Sequence, residues 1–236
     1  SIKMNKISKE IKVIAFDADD TLWVNETYFR DAEHEFAKLL EKYETENKID
    51  HELFRVEIKN LKNYGYGIKG FVLSMIECVL EISNHQVHQK TIEEILNIGK
   101  DMLNKPIELL DGIEEVLRSL QGKYKLIVAT KGDLLDQERK LENSNLLQYF
   151  HHVEVMSDKK ESDYLKLLNH LDIKPSELLM IGNSLKSDVL PLVQIGASAI
   201  HVPFHTTWVH EEVTVDLSSK VKYSTISNIK EVLALF

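Results

Sequence analysis

Three carboxylates, Asp17, Asp19 and Asp20, fall within four residues directly after the apolar run at 11–16, in the stretch KVIAFDADDTLW. Like charges that close repel and raise one another's pKa, so a folded chain keeps such a cluster chiefly where a cation or a reaction uses it. The other reading is a solvated loop. Asp17 and Asp19 are two residues apart and can face the same side of an extended segment, whereas Asp20 reads as a turn residue, with Thr21 capping local backbone in the same loop.

Other apolar runs end on chemistry-bearing residues as well. After LIVA come Thr130 and Lys131; after VEVM come Ser157, Asp158, Lys159 and Lys160; after LLMI come Gly182, Asn183, Ser184 and, slightly later, Asp188. If these runs are parallel strands, their carboxyl ends share one edge of the sheet, where ligands gather in open α/β folds. Carboxylates, a hydroxyl and a lysine converging there make the kit for phosphoryl transfer through Mg²⁺: hard oxygen ligands, a nucleophile, an acid/base partner and donors for phosphoryl oxygens.

The elements that must hold these residues are legible from periodicity. The run at 11–16 reads as a buried strand. Segments 26–43, 51–61, 68–82 and 91–103 carry apolar residues at helical spacing, and Pro106 with the LLDG at 109–112 closes that block. Strands are then expected at 124–129, 153–156, 178–181 and 199–202, alternating with helices at 113–120, 134–143, 163–171 and 186–195 and a last helix from 227. Such alternation, with strands apolar throughout, argues for a parallel sheet covered on both faces. The architecture expected is an α/β core at 1–24 and 108–236, with a helical domain inserted at 25–107.

The motifs DADDT, the Thr130 of VATKGD, the lysine of SDKKES and IGNSLKSD, in that order on successive strand ends, resemble the four motifs of the haloacid dehalogenase superfamily. The inserted block resembles that superfamily's α-helical cap of the type placed after the first motif, as in its phosphoglycolate-phosphatase-like branch. The resemblance implies a Rossmann-like core and Mg²⁺-dependent chemistry through an aspartyl intermediate. Asp17 would be the nucleophile and Asp19 the general acid and base. An acid at Asp19 favours phosphate over halide, because a halide leaves without a proton. Thr130 would donate to a phosphoryl oxygen, with Lys131 also meeting the substrate. Lys159, closer to its strand than Lys160, would balance charge between nucleophile and phosphate. Asp17, Asp19, Asn183 and Asp188 would hold the metal. The commonest pattern has an aspartate where Asn183 stands, and a neutral ligand implies weaker Mg²⁺ binding.

NYGYGIKGF at 63–71 reads as an interhelical loop or as a specificity loop of the cap, in which Tyr64 and Tyr66 would contact a sugar or an aromatic group. The HTTWVHE at 205–211 has no assignment, and Trp208 in it reads as core or interface. With 43% hydrophobic and 28% charged residues and no apolar run near the ~20 residues needed to cross a bilayer, no membrane partner is expected. A net charge of −9 without a basic stripe disfavours nucleic acid. Cys78 is the only cysteine, so no intramolecular disulfide forms, and a cytoplasmic protein is expected. The ten histidines show no metal-binding spacing. The leading expectation is a phosphatase acting on a small phosphate ester. A phosphomutase would use the same residues, a two-component receiver shares the strand-end residue types but is roughly half this length, and a binding-only descendant is a further alternative.

Overall fold

The structure is a computed structural model that describes residues 6–204 and 223–236. The segment 205–211 with Trp208 lies outside the described residues. The chain folds into two compact units. One comprises the described residues within Ser1–Glu26, Ile107–Lys131 and Arg139–Phe236; the other comprises Thr27–Pro106 and Gly132–Glu138.

The first unit is built on a six-stranded, all-parallel sheet. Its strands are β1 (Val13–Phe16), β2 (Lys125–Lys131), β3 (His152–Met156), β4 (Leu178–Gly182), β5 (Ser198–His201) and β6 (Ser224–Thr225), in the order β3-β2-β1-β4-β5-β6. Side chains alternate faces along a strand, and the packing follows. Ile14, Phe16, Leu126, Val128, Leu179 and Ile181 join one apolar cluster, while Val13, Ala15, Ile127, Ala129, Leu178 and Met180 join another. Both faces of the central strands are therefore dry, which is why β1, β2 and β4 carry apolar residues without a polar alternate. The first cluster is closed by helix α5 (Ile113–Leu120) and the 3₁₀ segment Ile229–Leu235, the second by α7 (Glu161–Leu171) and α8 (Leu190–Gln194).

The fold is the expected α/β, Rossmann-like sheet, with three local departures. Strand β3 lies at a sheet edge and is only half-buried, so it tolerates His152 and Glu154; not every strand is apolar throughout. The last element is a 3₁₀ segment capped by Asn228, preceded by the short β6, in place of a regular helix from 227. The helix expected at 186–195 is interrupted: Leu185–Val189 is a π turn, and only Leu190–Gln194 is α-helical. Pro191 accounts for this, because proline has no N–H to give the carbonyl four residues back, that of Ser187. The Tyr164 hydroxyl, fully buried on α7, donates to that carbonyl at 2.6 Å.

The second unit contains α1 (Glu26–Leu39), α2 (Glu46–Tyr64), α3 (Ile68–Ile82) and α4 (Gln89–Leu103), together with the first turn of α6 (Leu134–Ser144); α1 begins at the unit's border. Its own core takes Phe36 from α1 and Leu40 just after it, Ile49, Leu53 and Val56 from α2, Phe71, Met75 and Cys78 from α3, and Ile95, Ile98 and Met102 from α4. The three- and four-residue steps are those of helical stripes. Helix α2 starts five residues before the apolar stripe indicated at 51, because Thr45 caps it by accepting from the Lys48 N–H, and it ends at Gly65, whose φ of 69° suits a residue without Cβ. Among the described residues no helix is long and apolar enough to cross a membrane.

Candidate active site

Strand β1 is central, with β2 on one side and β4 on the other, and the strand order changes direction across this point. Phe16 is level with Val128 and Ile181, so Asp17 emerges beside the carboxyl ends of β2 and β4. Its N–H still donates to the Ile181 carbonyl at 2.9 Å, which pins the backbone of the first carboxylate to the sheet. Asp17 is 7% exposed and Asp188 1%. Lys159, 4% exposed, stands between them: its Nζ lies 2.7 Å from Asp17 Oδ1 and 2.6 Å from Asp188 Oδ1. The neighbouring Lys160 is exposed, with its ammonium 3.8 Å from Asp158.

One lysine between two buried carboxylates leaves surplus negative charge. Burial first, then the Asp188 and Asp19 carboxylates, push the Asp17 carboxyl up to about 8, against the pull of Lys159. Burial draws the Lys159 ammonium down, but Asp17 and Asp188 overcome it and hold its pKa well above the usual value. Asp188 rides on the π turn. Its Oδ2 accepts from the Ser184 N–H at 3.1 Å, and its carboxylate presses so closely on Gly182 that a Cβ there would sit 2.4 Å from it. Glycine at the end of β4 is thus a requirement of the carboxylate's position.

The Asn183 amide completes the cluster. One of its two heteroatoms lies 2.7 Å from Asp17 Oδ2 and 3.3 Å from the Asp19 carbonyl oxygen. With the nitrogen there, the amide donates to both; with the amide turned, three oxygens converge on one point. Among the described residues no group of three or more His, Cys, Asp or Glu side chains could hold a metal ion. The donor set here is instead mixed and all oxygen, namely the Asp17 carboxylate, the Asp19 carbonyl and the Asn183 amide with Asp188 adjoining, and the surplus charge on Asp17 is of the kind a hard divalent cation cancels. These residues fit Mg²⁺.

The Asp19 side chain takes another course. Its Oδ1 accepts from the Trp23 indole N–H at 2.9 Å and from Lys140 Nζ at 3.1 Å. Asp20, with φ 63°, turns the chain and accepts from the N–H groups of Asn25 at 2.7 Å and Glu26 at 3.0 Å, at the start of α1. Burial pushes its carboxyl up to about 7 despite those bonds. The Thr21 hydroxyl lies 3.3 Å from Asp17 Oδ2 and so faces the carboxylate cluster as well as the loop. Thr130, 1% exposed at the end of β2, donates to the Lys131 carbonyl at 3.2 Å, and Lys131 Nζ lies 3.1 Å from Ser187 Oγ.

The sheet unit therefore brings Asp17, Asp19, Thr130, Lys131, Lys159, Asn183 and Asp188 to its carboxyl edge. Tyr64 and Tyr66 belong to the helical unit, Tyr64 at the end of α2 with 47% of its surface exposed and Tyr66 in the connection to α3. Sequence reasoning passed over Trp23, Lys140, Tyr164 and Ser187. Trp23 lies four residues beyond Asp19 in the quoted stretch, a signal that was present; Lys140 lies on a helix whose pattern gives none.

A parallel sheet of this order, with a buried aspartate at the end of its central strand and a lysine bridging it to a second, defines a class of hydrolase. The chain belongs to the haloacid dehalogenase-like hydrolase family, whose model matches residues 11–196. A haloacid dehalogenase-like family hydrolase from Xanthomonas campestris is 34% identical, with a TM-score of 0.84 over 98% of this chain and 96% of that one. N-acylneuraminate-9-phosphatase of Homo sapiens is 24% identical, covering 95% of this chain and 93% of that protein. A HAD-hydrolase from Bacillus subtilis bound to magnesium has the same fold, with a TM-score of 0.64 at 16% identity over 96% of this chain and 99% of that one.

Proposed function

We propose that this hydrolase is a Mg²⁺-dependent phosphatase of small phosphate monoesters and works through an aspartyl-phosphate on Asp17. The observation that carries the reading is the Lys159 bridge between two buried carboxylates, 2.7 Å to Asp17 and 2.6 Å to Asp188, with a second acid two residues after the first. The similarity to the mammalian phosphatase and to the magnesium-bound bacterial hydrolase supports the ester class and the metal.

In this reading an Asp17 oxygen attacks phosphorus as the P–O bond to the alcohol breaks, and Asp19 gives its proton to the departing oxygen. Asp19 then takes a proton from water, whose oxygen attacks the phosphoryl group, releases inorganic phosphate and restores the Asp17 carboxylate. Lys159 pulls Asp17 toward its ionised form against the burial that raises it, and faces the charge that develops on the phosphoryl oxygens. Thr130 reaches a phosphoryl oxygen once its hydroxyl leaves the Lys131 carbonyl, and Lys131 adds a second cation. Asp17, the Asp19 carbonyl, Asn183 and Asp188 would hold the metal, which when bound neutralises charge between nucleophile and phosphate. Tyr64 and Tyr66 in the helical insert, which acts as cap, would contact the alcohol portion. A phosphomutase would need the same residues and differ only in returning the phosphoryl group.

The test is phosphate release from a panel of monoesters, with and without Mg²⁺, for the native protein and Asp17→Asn. Turnover that needs Mg²⁺ and is lost in the variant supports the reading. Release that persists in Asp17→Asn overturns it, and release that requires an added sugar bisphosphate moves the assignment to a mutase.

A further inference from the structure

We propose that Lys140, together with the Trp23 indole, is a positioning residue for Asp19, holding that carboxylate oriented for proton transfer to the leaving oxygen. The inference rests on the phosphatase reading above and adds to it a pair of residues outside the strand-end motifs.

Two donors from different parts of the chain meet on one carboxylate oxygen. Trp23 Nε1 lies 2.9 Å and Lys140 Nζ 3.1 Å from Asp19 Oδ1. The same ammonium lies 3.2 Å from Asn25 Oδ1, so its place is fixed by an acceptor on either side. The indole is itself enclosed and its backbone anchored. Trp23 is 1% exposed, its carbonyl accepts from the Asp20 N–H at 2.7 Å, and its backbone bridges to Leu109. An exposed lysine–carboxylate pair does little, because water competes and two long side chains must be ordered. This one differs: the Lys140 side chain is 15% exposed, against 54% for Lys59 and 57% for Lys69 in their own ion pairs. With both donors on Oδ1, the rotation of the carboxylate about its last bond is set, whereas an aspartate left to solvent samples the broad torsion of that bond. A general acid must meet the leaving oxygen within hydrogen-bond reach, so orientation bears directly on rate.

A purely structural role is the competing account, in which Asp19 serves Trp23 and Lys140 as a loop staple. Leaving-group dependence separates the two. An alkyl phosphate needs its departing oxygen protonated; p-nitrophenyl phosphate releases a stable phenolate and does not. The quantity to compare is kcat/KM, which covers the steps through alcohol release and omits the later attack of water. For Lys140→Met we expect about a tenfold or greater loss on the alkyl ester and about twofold or less on p-nitrophenyl phosphate. Lys140→Arg, which keeps a cationic donor, recovers most of the loss. Trp23→Phe keeps the ring and removes the N–H, and gives the same bias even if Lys140→Met folds poorly. Asp19→Asn gives it more deeply. Equal losses on both esters, or no loss, overturn the positioning role while leaving the phosphatase intact. A native protein that turns over neither ester, or does so without Asp17, overturns the phosphatase reading and this inference with it.

Discussion

Asp17 lies where its own ionisation costs the fold. Its carboxyl is held up, to about 8 from a reference of 3.8, first by burial and then by Asp188 and Asp19. A group that binds its proton more tightly when folded makes the folded state lose ground as pH rises through the interval between the two values. In chelator, Asp17→Asn should therefore melt higher than the native protein, by several degrees at pH 8 and by little at pH 4. Thermal melts across that range check it, and Mg²⁺ should raise the melting temperature of the native protein. Asn183 offers a second test. Asn183→Asp adds a carboxylate 2.7 Å from Asp17 Oδ2 in place of an amide that can donate there. Its metal-free form should melt lower and its Mg²⁺ affinity should rise about tenfold, read by calorimetry; unchanged affinity would count against weak metal binding at the native amide.

The π turn is an element whose cause is written in the chain, yet the spacing at 186–195 indicates a plain helix. Pro191 marks the break, but the consequence, an orphaned Ser187 carbonyl, is met by Tyr164 from α7, and sequence spacing does not record which distant hydroxyl will arrive. Tyr164→Phe should leave the sheet intact while loosening the turn that carries Asp188, at a cost of about 1–3 kcal/mol in stability, read by denaturant melts. Gly182→Ala should be harsher. A methyl group directed at the Asp188 carboxylate moves it or bends β4, and about a hundredfold loss of phosphate release is expected with the protein still folded. The central strands and the residues that end them were legible because burial on both faces demands apolar runs, and the polar residue ending each run stands out. The short β6 and the 3₁₀ terminus blurred that signal, since short elements carry weak periodicity, whereas the half-buried edge strand β3 kept its place and lost only the all-apolar character. Lys140 is hidden because its meeting with Asp19 depends on how a distant helix arrives there, whereas Trp23, four residues beyond Asp19, lies within reach of the spacing.

At the scale of the molecule, the two units have separate cores, and their stabilities should be separable. Phe36 is fully buried in the helical unit, and Phe36→Ala should destabilise that unit by about 3–5 kcal/mol. Mg²⁺ affinity should not change if, as proposed, the metal is held by the sheet unit alone; a parallel loss of metal binding in calorimetry would mean that the two cores are not independent. The order in which the chain is made adds a different constraint. Val13 in β1 pairs with Lys125 in β2 and Leu178 in β4, whereas the apolar core of the helical unit lies wholly between Ala32 and Met102. A nascent chain can therefore complete the apolar core of the helical unit while β1 waits as an apolar strand with no partner on either side, a state prone to association. A chain truncated before Leu178 would pair β1 on one side only and would lack Asp188, so such a fragment should be inactive.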